Sequence, residues 1–396
     1  MAATRKGVWD LQEVRDKQLA SEWSDYVGTG NMYAMGRNNK GSLGQNDVVY
    51  RSSPAQITGS TWAAGGMRTG GTAGSTFAKT DGTLWSWGYS WGGAGFLNKN
   101  DYSYSSPVQV GTDTDWASDS RAKITGPRIA GFAIKTNGTL WSAGYGTKGT
   151  TGLGHNSSKS SPCQIPGSWK TVASSGYTSL GTKTAGSLWW WGENENGSSG
   201  SSVSNNTQTN SPIQVGTDTT WANVSMQSTT ILATKTDGTL WAWGSNGSGA
   251  LAQNNPAPSQ RSSPVQIGEG TDWEIGADKF SMQGSGGAAI KTDGTLWTWG
   301  SASNGRLANN SPDGQNQSSP IQIPGTTWTS VSVMYRSAIA TKTDGTAWAW
   351  GGNGDGELGL NTQGPAGRVS SPTQIPGTEW ARPYLGKYDA YIITNS

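Results

Sequence analysis

Over Thr83-Leu84-Trp85-Ser86-Trp87-Gly88 the side chains alternate, with Trp85 and Trp87 on one side and Leu84 and Ser86 on the other. That is the period of a β-strand. The alternation recurs inside the run Lys-Thr-(Asp, Asn or Ala)-Gly-(Thr or Ser)-(Leu or Ala)-Trp, which begins at Lys79, Lys135, Lys183, Lys235, Lys291 and Lys342. A second run, Pro-x-Gln-(Ile or Val), stands at Pro54, Pro107, Pro162, Pro212, Pro264, Pro320 and Pro372, with gaps of 53, 55, 50, 52, 56 and 52 residues. Strand patterning at such a period predicts a four-stranded unit repeated seven times.

The first run occurs six times and the second seven, because one copy is cut in two. Ile393-Thr394-Asn395-Ser396 aligns with the start of the run, and Gly30-Asn31-Met32-Tyr33-Ala34-Met35-Gly36 with its continuation. A solenoid gains nothing by such a split, whereas a ring that pairs its first strand with its last removes its free edges. The sequence therefore predicts an all-β, seven-bladed propeller over 30–396, closed by pairing Asn31 to Gly36 with Ile392 to Ser396.

The Asp-Gly pairs at 81–82, 237–238, 293–294 and 344–345, with Asn137-Gly138, read as type I′ hairpin turns, which need positive φ at both central residues. Ala185-Gly186 departs from this, so a different or strained turn is expected there. Eighteen of the 22 tryptophans recur with the repeat and read as packing residues between blades; Trp9, Trp23, Trp91 and Trp190 do not. Equivalent loops share one face of a ring, so the Asn/Ser/Gly-rich segments after each Trp-x-Trp strand form a variable surface. On it Tyr89, Trp91, Tyr102 and Tyr104 make an aromatic group suited to stacking on a sugar ring or a protein. Trp190 is the second departure, where other repeats have Ser, Thr or Ala. Local repacking is the competing account of both.

Composition narrows the chemistry. The net charge of +2 provides no field for nucleic acid, and charged residues make up only 14%. A single cysteine, Cys163, excludes an intrachain disulfide and reads as a packed small hydrophobe in the Pro-x-Gln run. No apolar stretch is long enough to span a membrane, and the start lacks a secretory pattern. One histidine, His155, in a Gly-rich loop leaves no material for a triad or a histidine metal site, and Gly352-Asn353-Gly354-Asp355-Gly356-Glu357 lacks a full calcium-loop pattern. No catalytic residue, metal ligand or cofactor is expected.

The whole unit, Ala-Ile-Lys-Thr-Asp-Gly-Thr-Leu-Trp-x-Trp-Gly, then Asn-x-x-Gly-x-Leu-Gly, then Ser-Ser-Pro-x-Gln-Ile, resembles the repeat of the regulator of chromosome condensation family. The resemblance covers 30–396 and implies a seven-bladed propeller. The family's eukaryotic founder is a nucleotide exchange factor that docks on nucleosomes through a wedge-like insertion and a basic tail. Repeat lengths of 50 to 56 leave no room for such an insertion here. The family also includes secreted propellers that inhibit enzymes.

Residues 1–29 fit no blade. Asp10-Leu11-Gln12-Glu13 has capping-box spacing, and Leu11, Val14, Leu19 and Trp23 share half of a helical circumference. A short amphipathic helix is expected, covered either by the propeller or by another protein. Gly7-Val8-Trp9-Asp10-Leu11-Gln12-Glu13-Val14 resembles a segment of structural proteins of tailed phages, especially marine and cyanobacterial ones. The resemblance implies a virion fibre, spike or decoration protein, assembled in the host cytoplasm. Residues 1–29, through Val8, Trp9, Leu11, Val14, Leu19 and Trp23, would attach it to other virion proteins, and the propeller would face a host-surface glycan or protein. The alternative is a cellular or secreted binding or inhibitor propeller.

Overall fold

The computed structural model describes residues 30–394, apart from 68–73, 91–95, 97–101, 126–128, 256, 311–312 and 365–366. The expected helix, with Val8, Trp9, Leu11, Val14, Leu19 and Trp23, lies outside the described residues, as does Trp91.

Seven four-stranded antiparallel sheets stand in a ring. Six are consecutive in the chain: blade 1 over 62–109, blade 2 over 124–165, blade 3 over 169–214, blade 4 over 221–266, blade 5 over 280–323 and blade 6 over 328–375. Blade 7 takes Trp380–Leu385 and Asp389–Thr394 from the end of the chain and Met32–Gly36 and Arg51–Gln56 from its beginning. Met32 pairs with Ile393 and Gly36 with Asp389, so the ring closes as the split repeat requires.

The innermost strands line a central cavity, with Gly65, Val172, Val224, Met282, Val333 and Tyr384 on its wall. Blades 2 and 5 depart from the pattern. Trp116 and Trp273 form isolated bridges with Lys135 and Lys291, and the regular inner strand starts only at Ile124 and Phe280. The intervening residues lead into the channel. Arg121 crosses it from blade 2, donating to the carbonyl oxygens of Val331 (3.1 Å) and Phe280 (3.0 Å) on blades 6 and 5. These detours account for the two longest repeats, an insertion the spacing alone had concealed.

Each Asp-Gly turn is a three-residue loop. Gly82 N–H bonds to the Lys79 carbonyl and Lys79 N–H to that of Thr83, and only the glycine (φ 78°) is in the left-handed region. This is the G1-bulge pattern, not type I′, so the second half of the expectation fails. Gly186 (φ 82°) takes the strained position in blade 3, and Ala185 bears no positive φ. The Asp serves a different purpose. Asp237 Oδ1 accepts from Thr239 N–H (3.0 Å) and hydroxyl (2.7 Å), and that hydroxyl accepts from Trp241 Nε1 (2.7 Å). The same relay runs through Asp81, Asn137, Asp293 and Asp344.

The repeated Lys has a place too. Its ammonium sits over two rings, the Trp that opens the inner strand and the first Trp of the third strand. Lys183 Nζ is 5.4 Å from the Trp169 centroid and 3.6 Å from that of Trp189; Lys235 is 4.8 Å from Trp221 and 3.9 Å from Trp241. Cation–π attraction of about 0.5–1 kcal/mol per exposed site recurs around the ring.

The second Trp of the pair joins neighbouring blades. Trp87, Trp191, Trp243, Trp299 and Trp350 are completely buried, and their Nε1 atoms donate to carbonyls of the preceding blade's long loop: Ser42, Thr150, Ser198, Ala250 and Arg306. Four of the loops are shaped by an Asn, at 38, 194, 246 and 353. Asn246 Oδ1 accepts from Leu251 N–H (3.0 Å), while its Nδ2 donates to Asn255 O and Pro258 O (both 3.1 Å). The loop then latches onto the outer strand of the next blade, as in Asn254 N–H to Ser318 O (2.7 Å) and Asn361 N–H to Ser52 O (2.8 Å). Gly249 allows that approach, since a Cβ on it would lie 2.7 Å from Ser318 Cα.

Candidate interaction surface

The expected aromatic group does not assemble as one unit. Tyr104 pairs with Gly88 and Tyr102 with Ser90, whereas Tyr89 pairs with Ser103. Residues paired across strands share a face, so Tyr89 stands opposite to the other two. Tyr102 (51% exposed) and Tyr104 have ring centroids 4.9 Å apart, and Tyr104 packs on the core. Lys40 lies 5.6 Å from the Tyr89 ring.

Trp190 is not a surface residue. It is 1% exposed, within a cluster that includes Leu180, Leu188 and Val215. The reason lies in the adjoining loop. Where blade 4 has Ala242 and Leu251 and blade 6 has Ala349 and Leu358, all buried, blade 3 has Trp190 and Ser199. Ser199 N–H bonds to Asn194 as Leu251 N–H does to Asn246, so the two loop positions correspond. Trp190 fills the space the missing leucine leaves. Cys163 is half-buried and not packed as expected, with Sγ 3.7 Å from the Ser161 carbonyl. His155 Nδ1 accepts from Ser157 N–H (3.2 Å), and no group of three or more His, Cys, Asp or Glu able to hold a metal occurs among the described residues.

An aromatic and basic patch does form where blades 6 and 7 meet, on the face of the long loops. The inner hairpin of blade 6 turns at Tyr335-Arg336 and that of blade 7 at Lys387-Tyr388. The Tyr335 and Tyr388 rings meet edge-on at 5.7 Å; Lys387 lies 4.8 Å from one and 5.0 Å from the other. Arg336 sits over Tyr335 (4.7 Å) and Arg37 over Tyr388 (3.9 Å). Arg37 also donates to both Asp355 carboxylate oxygens (3.0 and 3.2 Å), a forked pair that fixes its plane. Val48, Val49 and Tyr50, all exposed, follow from the same end of blade 7.

Beneath the patch lies an unusual pair of acids. Glu357 is buried, accepts from Asp355 N–H (2.9 Å) and the Ser337 hydroxyl (3.2 Å), and burial raises its pKa. Asp389 is 1% exposed, and neither carboxyl oxygen has a partner among the described residues. The adjacent Ser42 hydroxyl gives its proton to the Arg37 carbonyl (2.8 Å), so burial prevails and pushes the Asp389 carboxyl up to about 7. No repeated motif marks the patch, whose parts come from both ends of the chain. In blades 3 to 7 the turn between the first and second strands differs from one blade to the next, with Gly176-Tyr177, Ser228-Thr229, Gly284-Ser285, Tyr335-Arg336 and Lys387-Tyr388.

Residues 293–335 match the regulator of chromosome condensation (RCC1) repeat. The human E3 ubiquitin-protein ligase HERC2 is 24% identical over 352 residues, 85% of this chain but 7% of that protein, so the chain spans a small part of its length. Human WBSCR16 superposes with a TM-score of 0.77 at 17% identity, covering 93% of this chain and 99% of that one. Prp20p from Saccharomyces cerevisiae does so with 0.77 at 16% identity, covering 94% of each. The chain therefore has the seven-bladed fold of RCC1-type propellers and carries a recognisable repeat of that family.

Proposed function

We propose that the chain is a non-enzymatic protein-binding propeller, and that the patch of Arg37, Tyr335, Arg336, Lys387 and Tyr388 is its docking surface for an acidic or aromatic protein face. The observation that carries this reading is the composition of the patch. Tyr and Arg dominate binding energy at protein interfaces, and here their stacking and the Arg37–Asp355 fork hold them in place before binding. Prp20p, which shares the fold, has been described for its binding to Gsp1p and histones, a precedent for protein binding by this fold. Affinity purification from the source cells, wild type against Tyr335→Ala/Arg336→Ala/Tyr388→Ala, tests it. Specific partners are expected to disappear with the triple variant and persist with His155→Ala. Retention of every partner by the triple variant would overturn it.

One observation favours a second reading, in which the partners belong to a phage particle. Gly7-Val8-Trp9-Asp10-Leu11-Gln12-Glu13-Val14 resembles a virion segment, and residues 1–29 would then be the attachment element of a virion propeller facing a host-surface glycan or protein. Removal of 1–28 would leave a folded propeller absent from purified particles. Incorporation at wild-type occupancy would exclude this reading.

A further inference from the structure

Six blades hold a lysine ammonium over an aromatic pair, and the seventh has the pair without the lysine. In blade 7 Trp380 opens the inner strand and Tyr33 takes the position of the first Trp, with centroids 5.3 Å apart and planes at 87°. Trp380 pairs with Thr394 as Trp169 pairs with Lys183 and Trp328 with Lys342, so Thr394 stands where the lysine would be. In blades 2 and 5 the residue before the inner Trp is an Asp that binds this lysine: Lys135 to Asp115 at 2.8 Å, Lys291 to Asp272 at 3.0 Å. In blade 7 that residue is Glu379, which is exposed and has no ion-pair partner among the described residues. Tyr33, Glu379, Trp380 and Thr394 line a cavity of about 710 Å³ that extends between blades 6 and 7 to Pro54 and Asn361.

We propose that this cavity is a binding site for a lysine side chain of another polypeptide. Two ring faces and a carboxylate are the partners the chain gives its own lysines in blades 2 and 5, and only the cation is missing. The aliphatic stem of an entering lysine would lie along Trp380 and Tyr33, and its ammonium would meet Glu379. The site lies at the opposite end of the Trp380–Leu385 strand from Lys387 and Tyr388, about 20 Å away at strand rise, so both faces of the ring could be engaged at once.

The test is NMR of the full chain labelled with ¹⁵N at tryptophan indoles, the Trp380 signal being assigned with Trp380→Phe. Acetyl-Gly-Lys-Gly-amide should shift that signal at millimolar concentration, and the norleucine peptide should not. Glu379→Gln should weaken binding about threefold. Thr394→Lys should raise the melting temperature and abolish the response, because its own ammonium then fills the site. Equal shifts with the norleucine peptide, or a response untouched by both Glu379→Gln and a folded Thr394→Lys, would overturn the proposal. So would a tenfold tighter response in Arg5→Gln/Lys6→Gln/Arg15→Gln/Lys17→Gln, since the occupant would then be the chain's own N-terminal segment.

Discussion

Tyr33, near the start of the described chain, pairs in register with Ile392 near its end, and both pack into one buried cluster with Trp380, Leu385 and Ala390. The last strand, Asp389–Thr394, is buried at all six positions. Removing residues 390–396 would expose that surface and free two sheet edges at once. The melting temperature of the entire ring is expected to fall by 10 °C or more, roughly what a loss of several kcal/mol gives. A cooperative transition unchanged by the truncation would show that closure contributes nothing.

Trp190 and Ser199 should be coupled. Truncating a buried tryptophan to alanine typically costs about 3–5 kcal/mol. Ser199→Leu alone should also destabilise, by overpacking a filled site. Combined, Trp190→Ala/Ser199→Leu recreates the Ala242 and Leu251 arrangement of blade 4, and the double variant is expected to be more stable than Trp190→Ala by at least 1 kcal/mol. A double-mutant cycle from urea unfolding measures this, and strictly additive effects would refute the exchange of volumes.

This pair also shows what could be read beforehand. The repeat spacing and the split copy dictated seven blades and their closure, because both follow from local alternation and from the cost of free sheet edges. The burial of Trp190 depends on the size of a residue nine positions away in a loop, which alternation within a strand does not report. The turn type was misread for a related reason: Asp-Gly suits several hairpins, and the flanking Lys79–Thr83 pairing selected the three-residue form. The patch at Tyr335 and Tyr388 was illegible because Arg37, Arg336 and Lys387 become neighbours only once the ring has closed.

Ala185 offers a substitution in the stabilising direction. It takes the place of the Asp that anchors Thr and Trp in the turns of four other blades, while Ser187 still accepts from Trp189 Nε1 (2.9 Å). Ala185→Asp should complete the relay and add about 1 kcal/mol at neutral pH. Hydrogen bonds from Thr239 hold the sibling Asp237 below its usual range, so the gain should be present above pH 4 and vanish as the pH falls through the lowered folded-state pKa. Chemical denaturation at pH 7 and pH 3 separates the two regimes. Destabilisation at pH 7 would mean that the turn does not admit the side chain.

Asp389 makes the opposite prediction, with stability lost as the pH rises from 4 to 7. Its folded-state pKa of about 7 lies above the ordinary 3.8, so the folded chain resists charging it. The neutral carboxyl is harmless below pH 4. As the pH rises from 4 towards 7 the unfolded state releases the proton first, stability declines, and above 7 the loss levels off at an upper bound on the order of 4 kcal/mol. Asp389→Asn removes the titration while keeping the shape. The variant should match the wild type near pH 4 and exceed it at pH 8, with the difference opening between those values. The Glu357 charge raises the Asp389 carboxyl further, so Glu357→Gln should lower the pH at which the loss levels off and reduce its size, while its onset, set by the unfolded chain, stays in place. Unfolding curves for the three proteins across this range are the measurement. A stability gap between Asp389→Asn and wild type that stays constant from pH 4 to pH 8 would show that Asp389 does not titrate in the folded ring.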